Sequence, residues 1–274
     1  MKKKSLIYTV NIGKKDKLKD PEILTPNVDY IAITDDKFFK SKIWQTCLVE
    51  KVFLKDFYDY TATTRYAKNF KFLPRKFMGK KFAEYDQFLY IDSNILIRRD
   101  LTGLFEYFEK SDKLLGLTRI KGLGGLYGHI RMDIRNRKDA KFILYNQKKF
   151  YKGQNYPKNR KNDLFITGLF FGKVSLEVYR FSIRMLKLIQ QGTHRCQIHL
   201  PYLLWKYGFS YVEMPINYDY TRNQFMPTDV FRIESHLKPS RFEEKKPSWQ
   251  KRLNSFFTTS HSSTKVNTDH FNPK

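Results

Sequence analysis

Cysteine is nearly absent: Cys47 and Cys196 are the only two in 274 residues. So few thiols build neither a disulfide framework nor a cysteine-rich zinc site, and a reducing, cytosolic compartment fits. Long hydrophobic runs are missing as well. Met1-Lys2-Lys3-Lys4 leads into an apolar stretch, residues 5–10, that is too short for a signal-peptide core. The longest uncharged stretches, such as residues 164–172, cover less than half of the roughly 20 residues a membrane span needs. The expectation is a protein neither exported nor inserted into a bilayer. Acidic residues are scarce: 27 Asp and Glu face 52 Lys and Arg, a formal net charge of +25. Such a field attracts nucleic acid, anionic lipid headgroups and phosphorylated or acidic substrates without choosing among them. Residues 236–274 hold eight Lys/Arg and three Asp/Glu, net +5, which leaves +20 of the +25 on residues 1–235. The excess is therefore global, as a lysine-rich composition alone would make it. No zinc-ligand set, aromatic ribonucleoprotein motif or clear helix-turn-helix accompanies it, so nucleic acid is not the favoured partner.

What is present is core material, 41% hydrophobic and 16% aromatic, enough for one large domain. Residues 5–12 and 28–34 read as buried strands, each ending at polar residues. Residues 61–77 favour helix until Pro74, which ends or kinks it near Leu73. Residues 88–91 form a short apolar strand that runs into Asp92-Ser93-Asn94, and apolar character resumes at 95–97. A helix over 101–110 and a strand over 113–118 follow. Residues 121–128 are glycine-rich without GxGxxG spacing and read as a loop, before a basic helix over 132–150. Residues 164–174 are strand-like. Ser175 can cap a helix in which Leu176, Tyr179, Ile183 and Leu186 share an apolar face, and Gly192 stops it. One more helix spans 194–207, with Gly208 after it. Strands alternating with helices imply an α/β sandwich with a mostly parallel sheet, which binds ligands beyond the carboxyl ends of its strands. Residues 236–274 read as a flexible tail. Within it Trp249, Leu253, Phe256 and Phe257 stand among Lys245, Lys246, Lys251 and Arg252, a composition that also suits peripheral contact with an anionic membrane.

The strongest local signal is residues 89–94, Leu-Tyr-Ile-Asp-Ser-Asn, because a strand that ends in a carboxylate and resumes two residues later sets oxygen ligands at a sheet edge. A hard divalent cation takes such ligands and completes its shell with phosphates and water. By spacing alone the triplet reads more readily as an ordinary β-turn than as a metal site. The order of segments adds to this. Ile7-Tyr-Thr-Val-Asn-Ile-Gly-Lys-Lys-Asp16, Asp29-Tyr-Ile-Ala-Ile-Thr-Asp35, Arg65-x-x-Lys68, Tyr90-Ile-Asp-Ser-Asn94, Thr193-His-Arg-Cys-Gln197 and Pro201-Tyr-Leu-Leu-Trp-Lys206 together resemble a glycosyltransferase-like family that includes the plant TOD and mucilage-related proteins.

The resemblance covers residues 5 to about 210. It implies a GT-A fold, a Rossmann-like nucleotide-diphospho-sugar transferase with a mixed, mostly parallel sheet over residues 1–235. It also implies a UDP- or GDP-sugar donor, a glycan, lipid-linked or protein acceptor, and a divalent metal, Mn²⁺ or Mg²⁺. Carried over, Thr9, Asn11 and Gly13 would line the nucleotide pocket, and Asp35 would face base or ribose unless it caps a helix over 37–42. Arg65 and Lys68, i and i+3 on one helix, would meet the pyrophosphate or sugar or else be solvated surface charge. Asp92 and Asn94 would bind metal, with Ser93 beside the diphosphate. Asp92, Arg65, Lys68 and Gln197 would take part in catalysis. GT-A enzymes often add a late histidine to the metal, for which His199 and His236 stand at suitable positions. A base for an inverting reaction would come from Asp163, Glu213 or Asp219, which no spacing separates. Two departures stand out. The family's Arg-Asp-Gln is here Arg195-Cys196-Gln197, and a thiol replaces a carboxylate only where its pKa is depressed. His129-Ile-Arg131 matches the later histidine-arginine segment loosely. A donor-binding relative without turnover is the corresponding alternative.

Overall fold

The structure is a computed structural model that describes residues 4–50, 60–121, 123–160 and 163–236. These all belong to one compact unit, residues 1–242. The expected tail and its aromatic-basic segment lie, His236 excepted, outside the described residues.

Strands β1 (Ser5–Asn11), β2 (Val28–Thr34) and β3 (Gln45–Leu48) come first, followed by helices α1 (Tyr60–Phe72) and α2 (Pro74–Met78). Pro74 sits at the first position of α2, so the helical run breaks where its missing N–H and its ring demand. β4 (Gln87–Asp92), β5 (Ile95–Ile97), α3 (Thr102–Lys110), β6 (Leu115–Lys121), α4 (Gly125–Arg135) and α5 (Lys141–Gly153) form the middle. β7 (Phe165–Lys173), α6 (Leu176–Gln191), α7 (Cys196–Tyr207), β8 (Tyr211–Asp219), β9 (Gln224–Met226) and β10 (Phe231–Ile233) complete the chain.

Eight strands form one mixed sheet in the order β3-β2-β1-β4-β7-β6-β8-β9. β1, β2, β3 and β4 run parallel, β7 is antiparallel to both β4 and β6, and β8 runs parallel to β6. The carboxyl ends of β1, β2, β4, β6 and β8 therefore share one edge with the amino end of β7. Both faces of the sheet are covered. Leu6, Tyr8, Val10 and Tyr90 enter one core with Phe70, Phe181, Met185 and Leu203, whereas Ile7, Leu89 and Ile91 enter another with Phe105, Phe108 and Met214. Double coverage is why β1 and β4 read as continuous apolar runs instead of alternating ones. A separate two-stranded sheet pairs β5 with β10 antiparallel, Ile95 opposite Ile233 and Ile97 opposite Phe231.

Four expectations need correction. α4 begins at Gly125, inside the glycine-rich stretch, because Gly125 takes φ +72 where a Cβ would strike the Arg160 carbonyl. The basic helix over 132–150 is two helices, separated by a turn in which Arg137 has φ 50. Residues 37–42 form no helix, so Asp35 caps none. The buried side of α6 is Val178, Phe181, Ser182, Met185, Leu186 and Ile189. Leu176, Tyr179 and Ile183 face solvent. Ser175 does cap α6, accepting from the Val178 N–H at 3.2 Å. No helix among the described residues is long and apolar enough to cross a membrane.

Candidate functional site

Asp92 ends β4 on the same face as Tyr90, since side chains alternate along a strand. Facing it is Lys71, in the last turn of α1, whose side chain is only 2% exposed. Its Nζ lies 3.2 Å from Asp92 Oδ1 and 4.2 Å from the centre of the Tyr90 ring, and the Tyr90 hydroxyl donates to the same Oδ1 at 2.7 Å. The Tyr8 hydroxyl donates to the Lys71 carbonyl at 2.5 Å and so fixes the helix end that carries the ammonium. The Asp92 side chain is packed deep among protein atoms yet keeps 41% of its surface open, as a group on the floor of a recess does. Burial would raise its pKa, but the charges of Lys71 and Lys68 and the Tyr90 hydroxyl outweigh burial and hold the carboxyl well below the usual range. Lys71 is driven the other way: burial lowers its pKa more than Asp92 restores it. Gly168 lies beneath this pair, and a Cβ there would come within 2.7 Å of Asp92 Oδ2 and force that carboxylate to shift.

Cys196 opens α7 within the same electrostatic cluster. It is buried, and its Sγ lies 2.9 Å from Thr167 Oγ1 at the amino end of β7. Burial pushes the thiol up, and the charges of Lys68 and Lys71 with the Thr167 hydroxyl overcome that, so its pKa falls below the ordinary cysteine value. A depressed thiol thus stands where the resembled family has a carboxylate. Its neighbour Arg195 donates to buried Asp133 at 3.1 Å and to Gln197 Oε1 at 3.1 Å. His129 packs against Asp133 at 3.5 Å, and its desolvated ring has its pKa lowered to about 4.

The other flank of the triplet is held by a residue the sequence did not single out. Ser93 is buried and donates to Asp16 Oδ2, while His236 Nδ1 meets Asp16 Oδ1 at 2.6 Å. Pairing of β10 with β5 continues past the strands: the Glu234 N–H donates to the Asn94 carbonyl at 2.8 Å, and Asn94 Nδ2 to the Glu234 carbonyl at 3.2 Å. His236 is delivered to the Asp92 turn in this way. Asn11 spends both ends of its amide on the Asp16 backbone, Nδ2 to the carbonyl at 2.9 Å and Oδ1 from the N–H at 3.3 Å. Gly13, at φ 72, donates its N–H to Asp35 Oδ1 at 2.9 Å. Asn11, Gly13 and Asp35 therefore brace the loop that follows β1.

Of the remaining residues, the structure keeps Lys68 with this cluster and engages the others elsewhere. Thr9 is wholly enclosed in the sheet, its hydroxyl without a hydrogen bond, and faces packing atoms instead of a nucleotide pocket. Arg65 reaches back to the end of α6, donating to the carbonyls of Ile189 and, at 2.8 Å, Gly192, with Asp139 3.9 Å away. Lys68, one turn on, is the member of that pair whose charge acts on Asp92 and Cys196. His199 is buried with both ring nitrogens engaged, Nδ1 by the Tyr151 hydroxyl at 2.6 Å and Nε2 by the Thr193 carbonyl at 2.7 Å, which removes it as a metal ligand. Asp163 takes the Tyr156 hydroxyl, Glu213 pairs with Arg119 near the start of β8, and Asp219 holds the turn to Thr221 and Arg222.

Asp92 Oδ2, Asn94 Oδ1 and His236 Nε2 make no hydrogen bond among the described residues. No three His, Cys, Asp or Glu side chains among those residues form a cage by themselves. The rest of a shell would come from Asn94 and from ligand phosphate and water, as is usual for Mg²⁺. A cavity of about 220 Å³ lies elsewhere, lined by Phe72, Phe82, Phe88, Val178 and Tyr179, at the edge where β4 begins.

Compared with models of known protein families and with curated proteins, the chain matches none.

Proposed function

We propose that this chain is a GT-A-type glycosyltransferase that moves a sugar from a nucleoside-diphosphate donor to a glycan, lipid-linked or protein acceptor. One observation carries the reading: a solvent-open, strongly acidic carboxylate, Asp92, ends a parallel strand beside a buried lysine, and the serine after it is tied through Asp16 to a histidine brought back from residue 236. The sheet order supports it, with ligand-facing ends of β1, β2 and β4 side by side, one inverted strand, and a small second sheet after the acidic triplet.

In this reading Asp92, Asn94 and His236 hold Mn²⁺ or Mg²⁺. When bound, the ion neutralises charge that develops on the departing diphosphate. Lys68 adds positive charge at the same place, and so does the positive end of α7, whose first residue Cys196 belongs to that charge cluster. Lys71 acts through Asp92, keeping the carboxylate ionised and aimed over Gly168. Gln197 and Arg195 face the sugar from the start of α7, with Arg195 steadied by Asp133. The test is product analysis after incubation with UDP- and GDP-sugars, Mn²⁺ and a panel of acceptors. Donor-derived sugar on an acceptor, lost in Asp92→Asn, supports the reading. Nucleotide-sugar binding with no transfer would favour the non-catalytic alternative, and neither binding nor transfer would reject the site.

A further inference from the structure

Asp16 is an unusual use of a carboxylate. Its side chain is 4% exposed, and its two oxygens take one donor each: Ser93 Oγ on Oδ2, and His236 Nδ1 on Oδ1 at 2.6 Å. The backbone beneath it is clamped in both directions by Asn11. One buried group thus joins the middle residue of the acidic triplet to a histidine 220 positions away.

We infer that Asp16 is the positioning residue of the metal centre: it fixes the proton of His236 on Nδ1, so that the lone pair of Nε2 is left for a divalent cation at the acidic triplet. The argument is one of tautomers. A neutral imidazole carries one N–H and one lone pair, and the partner of one nitrogen decides which chemistry the other offers. A carboxylate accepts and cannot donate, so the nitrogen facing Asp16 must bear the proton. Outer carboxylates of this kind orient the ligating ring in histidine–metal sites generally. Because the same carboxylate holds Ser93, the orientations of the triplet and of the ring are set together. This inference rests on the metal-dependent reading of the site.

The experiment is calorimetric titration of Mn²⁺ into the full chain with UDP or GDP present, for wild type, Asp16→Asn, His236→Ala and the double variant. Asparagine can still accept from Nδ1 but lacks the charge. Asp16→Asn is expected to weaken Mn²⁺ about 10- to 100-fold, His236→Ala at least as much, and the double variant no more than His236→Ala alone. Mn²⁺ binding unchanged in Asp16→Asn, or a full further loss in the double variant, would overturn the positioning role while leaving the metal site standing. Wild type that binds no Mn²⁺ would overturn both. In wild type itself, independent of how any variant folds, ring ¹⁵N shifts should place the His236 proton on Nδ1, and the opposite tautomer refutes the inference.

Discussion

Removing the two partners of the Lys71–Asp92 pair one at a time should have unequal costs. Asp92→Ala leaves an ammonium that is 2% exposed without its carboxylate partner, among aromatic rings, the Tyr90 hydroxyl and the Cys196 thiol. Breaking a fully buried pair in this way costs about 3–5 kcal/mol, and because the Asp92 side is 41% exposed and water-screened, about 2–3 kcal/mol is expected here. Lys71→Met does the reverse. The thioether fills the space of the stem against Tyr90 and Phe170, and the carboxylate left behind already reaches solvent and still accepts from Tyr90. That change should cost about 1 kcal/mol or less. The double variant should lie near Lys71→Met, giving a coupling of about 2 kcal/mol. Urea unfolding followed by tryptophan fluorescence measures all four proteins, and comparable slopes show that midpoints report stability. For a unit of this size the Asp92→Ala deficit corresponds to a fall of roughly 4–12 °C in Tm. Lys71→Met costing as much as Asp92→Ala, or strict additivity in the double variant, would refute the burial asymmetry.

Three further outcomes follow from the same geometry. Gly168→Ala should displace Asp92 Oδ2, since the added methyl would lie 2.7 Å from it, and weaken nucleoside-diphosphate binding at least tenfold; unchanged affinity in a binding titration would contradict the placement. Arg65→Ala should cost about 1–2 kcal/mol through the lost contacts to the end of α6, with nucleotide affinity unchanged, and a selective loss of affinity would return Arg65 to the site. Acid should unfold the chain in two stages. His129 and His199, neutral in the fold with pKa values of about 4 against 6.5 unfolded, bind more protons when unfolded, so stability falls as pH drops from about 6.5 to about 4. Asp92 and Asp139, both held below the ordinary carboxylate range, contribute stability that is present above about pH 4 and lost as pH falls further. A flat stability profile between pH 7 and pH 5 would contradict the histidine part.

Much of the fold could be read from local sequence. β1, β2 and β4 are apolar runs that end at polar residues, and Pro74, Ser175 and Gly192 mark helix limits by backbone chemistry that acts within a turn. Where the reading failed, a distant partner decided. Leu176, Tyr179 and Ile183 make as regular a stripe as the buried Val178, Phe181, Met185 and Ile189, and only the sheet's position selects between them. β9 and β10 are three-residue strands fixed by pairing, not by propensity. At the site, Asp92 was legible because a carboxylate ends a strand. Lys71 was not: in a lysine-rich helix it looks like solvated charge until Tyr8, Tyr90 and Asp92 close around it. Asp16 was hidden for a related reason, since its partners lie 77 and 220 residues away. The i, i+3 pairing of Arg65 with Lys68 predicted a shared face but not that the longer guanidinium would turn toward α6.

The proposed grip of Asp92 on a diphosphate through a divalent cation stands or falls on the calorimetric affinity of the full chain for UDP and GDP with and without Mn²⁺, in wild type and Asp92→Asn. Binding that requires Mn²⁺ in wild type and falls at least tenfold in Asp92→Asn is the predicted result. Equal affinity in the two proteins, with Mn²⁺ making no difference, would contradict it.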